Sequence, residues 1–281
     1  SAGRIAGLTL PGVALVIRDW LPHLIFLLLL VSAFRIGPAA TLGSRRDAGE
    51  GVLRALVYQL VAPLAALGLL LALGWADTLF GIACILALAA PSISGAPNFA
   101  IMMGKDPTRA LRLLIIGTAL FPLTVVPVFL ALPAIETLAE GVESAAKLLA
   151  VIVVSVAGGF LLRRNMTLTR SETQARDGGA AMLLAVLVGG LMSAMGPALA
   201  DEPGRVAVWL GFAFALNFGS QALAFCADPK RNTGAAIVAG NRNIALFLVA
   251  LPPALTDDLL LFIGCYQIPM YLTPVIMSRV M

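Results

Sequence analysis

A short polar stretch, residues 240–243 (Gly-Asn-Arg-Asn), separates the apolar residues 234–238 from the apolar residues 244–251. A guanidinium near the middle of a bilayer costs about 2.5 to 3.5 kcal/mol even on insertion scales, so Arg242 should face a protein-lined or watery cavity. Gly240 lets the backbone leave helical geometry, and the freed N–H and C=O groups then need a partner, because lipid offers none. The stretch predicts a broken helix at a transport site.

A second interruption lies in the first half, at residues 90–98, between the apolar residues 82–89 and 99–103. Pro91 and Pro97 each remove a backbone N–H and clash with the preceding turn. This hydrophobic segment therefore cannot be one continuous helix.

The two interruptions also share the residues that end them and the prolines beyond. Each ends in an asparagine, Asn98 or Asn243, and a pair of prolines comes about one helix later. The pairs are Pro122 with Pro127 and Pro269 with Pro274. Two interrupted segments in corresponding halves indicate a transporter built from repeats, with its binding site where the interruptions meet.

The side chains of these interruptions suit a solute or ion site. The Arg242 guanidinium is a fixed fork for a carboxylate, sulfonate or phosphate, although it could instead snorkel to the interface. Asn98 and Asn243 could bind a ligand or cap their own half-helices. The predicted solute and ion site contains Ser94, Gly95, Pro97, Asn98, Gly240, Asn241, Arg242, Asn243 and, from the third helix, Gln59. We expect Tyr58, Asn217, Ser220 and Gln221 to form hydrogen bonds between helices.

Composition places the chain in a membrane. Of its 281 residues, 60% are hydrophobic and 12% are charged, which excludes a soluble core with a wettable surface. The three cysteines lack C-x-x-C spacing and should be free thiols, and one histidine, His23, leaves no His-based metal site. No catalytic motif and no Walker A motif is present, so we expect neither an enzyme nor an ATP-driven pump. The basic residues are scattered among short loops, which argues against nucleic acid as a partner.

A helix needs about 20 apolar residues to span the bilayer, and by this criterion the chain divides into ten segments. They cover residues 5–17, 21–36, 53–75, 79–103, 109–133, 145–162, 180–199, 206–225, 233–251 and 259–276. The first is too short to cross, so we expect a shortened or incomplete helix there, with a signal peptide as the competing interpretation. The predicted fold is all-α, with two five-helix repeats, residues 1–143 and 144–281, in inverted orientation and with the fourth and ninth helices broken and crossing.

The loops alternate in charge. Basic loops lie on one side and acidic loops on the other, so the positive-inside rule predicts a cytoplasmic C-terminus. The bacterial inner membrane is the expected location. Thr256, Asp257 and Asp258 suggest an N-cap that opens the last helix.

With both interruptions, the proline pairs and Gln59 in view, the chain resembles the bile acid:sodium symporter family over nearly its whole length. The resemblance implies a panel domain of helices 1–2 and 6–7 and a core domain of helices 3–5 and 8–10. It also implies two sodium ions behind the crossing of helices four and nine, with an organic anion between the domains. Asn98 and Asn243 match asparagines of the family's crossover, and Gln59 falls near a glutamine of one sodium site.

Several residues depart from the family pattern. Val238 stands where the family has a glutamate shared by both sodium sites, and Arg242 stands where it has a glutamine. Pro97 replaces a hydroxyl residue, and apolar residues around Leu111 and Leu114 replace hydroxyl ligands. Since a hard cation wants several oxygen ligands and usually a carboxylate, these sodium sites look degenerate.

Arg242 has two interpretations in this context. Its guanidinium could occupy the place of a sodium ion and donate to unwound carbonyls or to Asn98, which would make transport independent of sodium. Alternatively, Arg242 points away and sodium still binds through Gln59, the asparagines and backbone carbonyls.

The expected function is secondary transport of a small organic anion by alternating access, by a monomer in the bilayer with no cofactor. An arsenite-type efflux permease and a non-transporting membrane sensor on the same fold are the alternatives.

Overall fold

The computed structural model of the chain describes residues 16–36, 45–135, 137–164, 170–228 and 232–281. Within those ranges the fold is helical, and the one strand-like feature is an isolated antiparallel bridge between Ser92 and Arg242. The segment predicted at residues 5–17 lies almost entirely outside the described residues.

The helices are numbered in chain order. They are α1 (Leu21–Ile36), α2 (Arg45–Leu56), α3 (Ala62–Ala72), α4 (Leu79–Ala89), α5 (Ala96–Met102), α6 (Thr108–Ala131), α7 (Leu138–Arg164), α8 (Arg170–Leu191), α9 (Met195–Asp201), α10 (Pro203–Ala227), α11 (Thr233–Gly240) and α12 (Pro253–Met277). A π-helical turn, Val57–Val61, joins α2 to α3, and a 3₁₀ helix, Ile244–Val249, follows α11.

Among the described residues, six helical segments are long and apolar enough to cross a membrane, in agreement with an all-helical, polytopic membrane protein. They are Arg46–Ala72, Thr108–Ala131, Leu138–Arg164, Gly178–Asp201, Pro203–Ala227 and Pro253–Met277. Two shorter apolar helices, Leu21–Phe34 and Leu79–Ala89, accompany them. Ten crossings in two inverted repeats stay a prediction.

Several helices begin earlier than the sequence-based segments, among them α7 at Leu138 and α8 at Arg170. The apolar pattern starts the third segment at residue 53, but α2 begins at Arg45. The carboxylates of its first two turns are paired, Asp47 with Arg112 at 3.3 Å and Glu50 with Arg54 at 3.0 Å, which stabilises this charged part of the helix. The N-cap predicted at Thr256 is wrong, since α12 already begins at Pro253. Asp257 instead forms an ion pair with Arg18.

The second broken segment lies in the interior of the protein. All eight residues of α11 are buried, and so are five of the six residues of the 3₁₀ helix. The Asn232 side chain caps α11 by accepting a hydrogen bond from the Ala235 N–H at 2.9 Å. Just before this cap, the buried carboxylate of Asp228 pairs with Arg54 at 3.1 Å, which fixes the start of α11 against α2.

Candidate functional site

The two interrupted segments meet at their interruptions. The Ile93 N–H donates to the Asn241 carbonyl at 3.0 Å, and the Asn243 N–H donates to the Pro91 carbonyl at 2.8 Å. These reciprocal bonds flank the bridge between Ser92 and Arg242. The chain thus crosses itself by a short antiparallel pairing, which supplies backbone partners that a lipid environment cannot provide.

Arg242 lies behind this crossing and is 3% exposed. Its Nε donates to the Ala239 carbonyl at 2.8 Å, its Nη1 to the Ala90 carbonyl at 2.9 Å and its Nη2 to the Tyr58 carbonyl at 3.2 Å. The Cζ atom lies 5.5 Å from the centroid of the Tyr58 ring, within cation–π range. Three chain segments therefore converge on one guanidinium. No carboxylate pairs with it among the residues that the structure describes.

Two of these acceptors are carbonyls left over by the helix breaks. Ala90 follows the last residue of α4 in an extended conformation, φ −57° and ψ 147°, so helical bonding to its carbonyl stops there. In a continuous helix the Ala239 carbonyl would accept from the Asn243 N–H, but that donor is used by Pro91. Both carbonyls are consequently available to the guanidinium.

The third acceptor is explained by the π-helical turn. The Ala62 N–H donates to the Val57 carbonyl instead of to Tyr58. The next residue, Pro63, has no N–H to offer in its place. The Tyr58 carbonyl is left without a helical donor and accepts from Arg242. A π-helical turn of this kind often marks a functional site.

The carbonyl of Gly240 has two side-chain donors of its own. Asn217 Nδ2 donates to it at 2.6 Å and the Tyr266 hydroxyl at 2.5 Å. Gly240 packs so tightly on α10 that a Cβ atom there would overlap the Asn217 carbonyl oxygen and Gln221 Cγ. Glycine is needed here for close approach of the backbone.

Asn241 completes a buried polar cluster between α10, α11 and α12. Its Oδ1 accepts from the Thr273 hydroxyl at 3.0 Å, and its Nδ2 donates to the Ile237 carbonyl at 2.8 Å. Gln221 Nε2 donates to Asn217 Oδ1 at 2.7 Å and to Thr273 Oγ1 at 3.1 Å. These bonds confirm the interhelical role expected of Asn217 and Gln221.

The first interruption has few side-chain hydrogen bonds and faces a cavity of about 560 Å³. The Ser92 hydroxyl donates to the Ile93 carbonyl at 3.3 Å. The cavity is bounded mainly by apolar side chains of α1, α6 and α7, and none of the described residues that line it is charged. Its polar lining residues are Ser32, Ser92, Ser94, Thr118 and Asn243.

The predicted site residues divide into four groups. Ser94 and Asn243 line the cavity. Gly240, Asn241 and Arg242 are buried at the crossing and do not line the cavity. Gly95 and Pro97 lie at the start of α5, while Asn98 is exposed on that helix. Gln59 is buried and accepts a hydrogen bond from Thr124 Oγ1 at 3.3 Å, next to Gly117.

The pairing also shows which residues are equivalent at the crossing. The reciprocal bonds relate Pro91 to Asn241 and Ile93 to Asn243. Asn98, which the sequence suggested as the counterpart of Asn243, lies five residues beyond Ile93.

Sequence reasoning missed Tyr266 and Thr273 at the second break and Ser32, Ser92 and Thr118 in the cavity wall. Tyr266 and Thr273 are seven residues apart, which places them on one face of α12, and this spacing could have suggested a shared partner. Tyr58 binds Arg242 through its backbone carbonyl, and side-chain types in the sequence do not indicate such a contact.

The described residues contain no group of three or more His, Cys, Asp or Glu side chains that could hold a metal ion. No protein-family model matches the chain, and no curated protein matches it.

Proposed function

We propose that this protein is a secondary transporter that moves a small amphipathic organic anion across a membrane by alternating access to the cavity beside the crossing. The observation that carries the proposal is the pairing of two interrupted membrane segments next to that cavity. Non-helical backbone at membrane depth is tolerated only where it is buried in protein or lines a cavity, and transporters use such breaks to bind solutes.

The cavity wall supports the choice of solute class. A volume of about 560 Å³ lies within the range of small-molecule sites. Apolar walls suit a hydrocarbon body, while Ser92, Ser94 and Asn243 offer hydrogen bonds to a polar head. A small hydrated oxyanion such as arsenite would gain little from these walls, so an organic solute is favoured.

A negative charge on the head group is favoured by Arg242, although its guanidinium does not line the cavity. Arg242 adjoins two lining residues, Asn243 along the chain and Ser92 across the bridge, and a buried cation this near attracts an anion more strongly than it would in water.

We also propose that the repeats are residues 1–143 and 144–281, related by an inverted two-fold. The reciprocal bonds at the crossing are those that a local two-fold axis would produce. In this arrangement α1, α7 and α8 belong to the panel, and the broken segments belong to the core. Motion of one group against the other would expose the cavity alternately.

Uptake by proteoliposomes tests the function. The purified protein is reconstituted and offered labelled monocarboxylates and sulfonates with hydrocarbon bodies of increasing size. We expect saturable uptake of at least one compound, and loss of that uptake in Thr118→Trp, which would fill the cavity. Leu223→Trp is the matched control, because Leu223 is exposed on α10 and lies outside the cavity wall.

If none of the tested anions is taken up by a protein that keeps its unfolding temperature, transport of organic anions is contradicted. It would favour the non-transporting sensor. Arsenite extrusion without any uptake of organic anions would favour the efflux permease.

The proposed location is the bacterial inner membrane, with the C-terminus in the cytoplasm. Single cysteines at Glu140 and Arg170, in a background without native cysteines, should react with an impermeant thiol reagent from opposite sides of the membrane. Labelling of both from one side would contradict the proposed topology.

A further inference from the structure

The environment of Arg242 is that of a bound cation. Carbonyl oxygens of Tyr58, Ala90 and Ala239 come from three separate segments and point at one positive charge. Each of these carbonyls has lost its helical donor, either to a helix break or to the π-helical turn. Converging carbonyl oxygens are the kind of ligand set that proteins use for hard monovalent and divalent cations.

We infer that Arg242 is a cation built permanently into the crossing, so that the crossing needs no exchangeable cation to assemble. The inference rests on the proposed function for its consequence, which is that solute transport does not depend on sodium.

The residues present do not fit the sodium ion that the family resemblance implied. The carbonyls of Tyr58, Ala90 and Ala239 already accept hydrogen bonds from the guanidinium. Val238, at the position where the resemblance expects a carboxylate, is buried and apolar. A second cation beside Arg242 would be repelled by a like charge, and the one buried carboxylate among the described residues, that of Asp228, is already paired with Arg54 at 3.1 Å.

A tethered cation changes the energetics of a transport cycle. An exchangeable ion supplies its gradient only if it binds and leaves with the solute, whereas a side chain stays in place. Arg242 also joins both interruptions to the turn at Tyr58, so it maintains the crossing whether or not solute is present.

The test compares thermal unfolding in detergent in sodium, potassium and choline chloride at equal ionic strength. We expect the unaltered protein to unfold at the same temperature in all three salts. Arg242→Ala should unfold at a temperature several degrees lower. Millimolar guanidinium ion should restore part of this unfolding temperature, because it can enter the vacated space between the carbonyls of Tyr58, Ala90 and Ala239, which we call the carbonyl cage. The unaltered protein, whose cage is filled, should gain nothing from guanidinium.

A second variant tests the same inference from the opposite direction. Val238→Glu combined with Arg242→Gln removes the tethered charge and adds a carboxylate beside the cage. We expect its unfolding temperature to rise with sodium and not with choline. Arg242→Lys keeps the charge but has a single nitrogen for three carbonyls, so it should be intermediate in stability and show no response to sodium.

A specific rise in the unfolding temperature of the unaltered protein with sodium would overturn the inference. So would an Arg242→Ala variant that matches the unaltered protein. Neither outcome depends on a transported solute, so failure of the inference is distinguishable from failure of the proposed function. If transport is found, its rate in sodium and in choline should be equal.

Discussion

The two interruptions that cross are built by different means. At residues 90–95, Pro91 removes a donor covalently, and the side chains of this fully described stretch donate a single hydrogen bond, from Ser92 to the Ile93 carbonyl. At residues 240–243 there is no proline, and the break is maintained by Arg242 and by donors from α10 and α12. One break is encoded locally, whereas the other depends on tertiary contacts.

This difference predicts different roles. The first interruption presents Pro91, Ser92 and Ser94 to the cavity, and the second presents only Asn243. Side chains of the second interruption are used to satisfy the backbone of both. Substitutions at the first should therefore change what is bound, while substitutions at the second should change whether the crossing forms.

The largest effect should come from Arg242→Ala. Three buried carbonyls would lose their donor, and each unsatisfied group costs about 1 to 3 kcal/mol, so we expect a loss of about 4 kcal/mol or more in the free energy of unfolding. Denaturant titration in detergent measures it. Arg205→Ala is the control, since Arg205 is an exposed arginine whose ion pair with Glu202 spans 3.5 Å at the surface, and it should change little. Equal losses in the two variants would contradict the role given to Arg242.

Next in size is a matched pair of glycine substitutions, one in each interruption. Gly240→Ala would drive a methyl group into α10 and should cost about 3 kcal/mol. Gly95→Ala should be tolerated, because the added Cβ would lie 3.6 Å from Ile93 Cδ1, an ordinary contact, at a φ of −80°. Thermal unfolding of both variants measures the two losses of stability. Similar losses would mean that the two interruptions are equally constrained.

A smaller effect is expected at the Gly240 carbonyl. Tyr266→Phe removes one of its two donors and should cost about 1 kcal/mol, since Asn217 remains. Asn217→Ala should cost about 2 kcal/mol, because it also removes the acceptor of Gln221. The double variant should lose more than the sum, because the buried carbonyl then has neither donor. Strict additivity would show that the two donors act independently of that carbonyl.

The smallest effect on stability should come from Ser92→Ala and Ser94→Ala, each within about 0.5 kcal/mol. Their effect should appear in solute affinity instead, as a several-fold higher KM for uptake. Ser278→Ala, on an exposed residue beyond the end of α12, is the control with no expected change in KM. Marked instability of the serine variants would remove the functional distinction between the two interruptions.

Much of the membrane architecture could be predicted from residue types. The apolar runs located the six long helices, because burial of apolar side chains and internal backbone bonding are the two requirements of a bilayer. Both interruptions were also predictable, since Pro91 cannot donate and Gly240 with three polar residues interrupts an apolar run. Helix ends were less accurate, because ion pairs such as Arg54 with Glu50 extend α2 beyond its apolar part.

The candidate site was predictable only in part. Ser94 and Asn243 do line the cavity, but no property of the sequence distinguished Arg242 facing a solute from Arg242 facing its own backbone. Ser32 and Thr118 were missed because isolated hydroxyl residues in apolar helices are common, and only their position in space distinguishes them.

The sequence by itself determined that the chain is an all-helical membrane protein with two interrupted segments, since composition and backbone donors are local properties. Only the tertiary structure decided that the interruptions cross at Ser92 and Arg242. It alone also decided where the guanidinium is used. A charge buried in protein must find its partners wherever the fold leaves carbonyls without donors, and those carbonyls, at Tyr58, Ala90 and Ala239, belong to segments up to 184 residues from Arg242 along the chain.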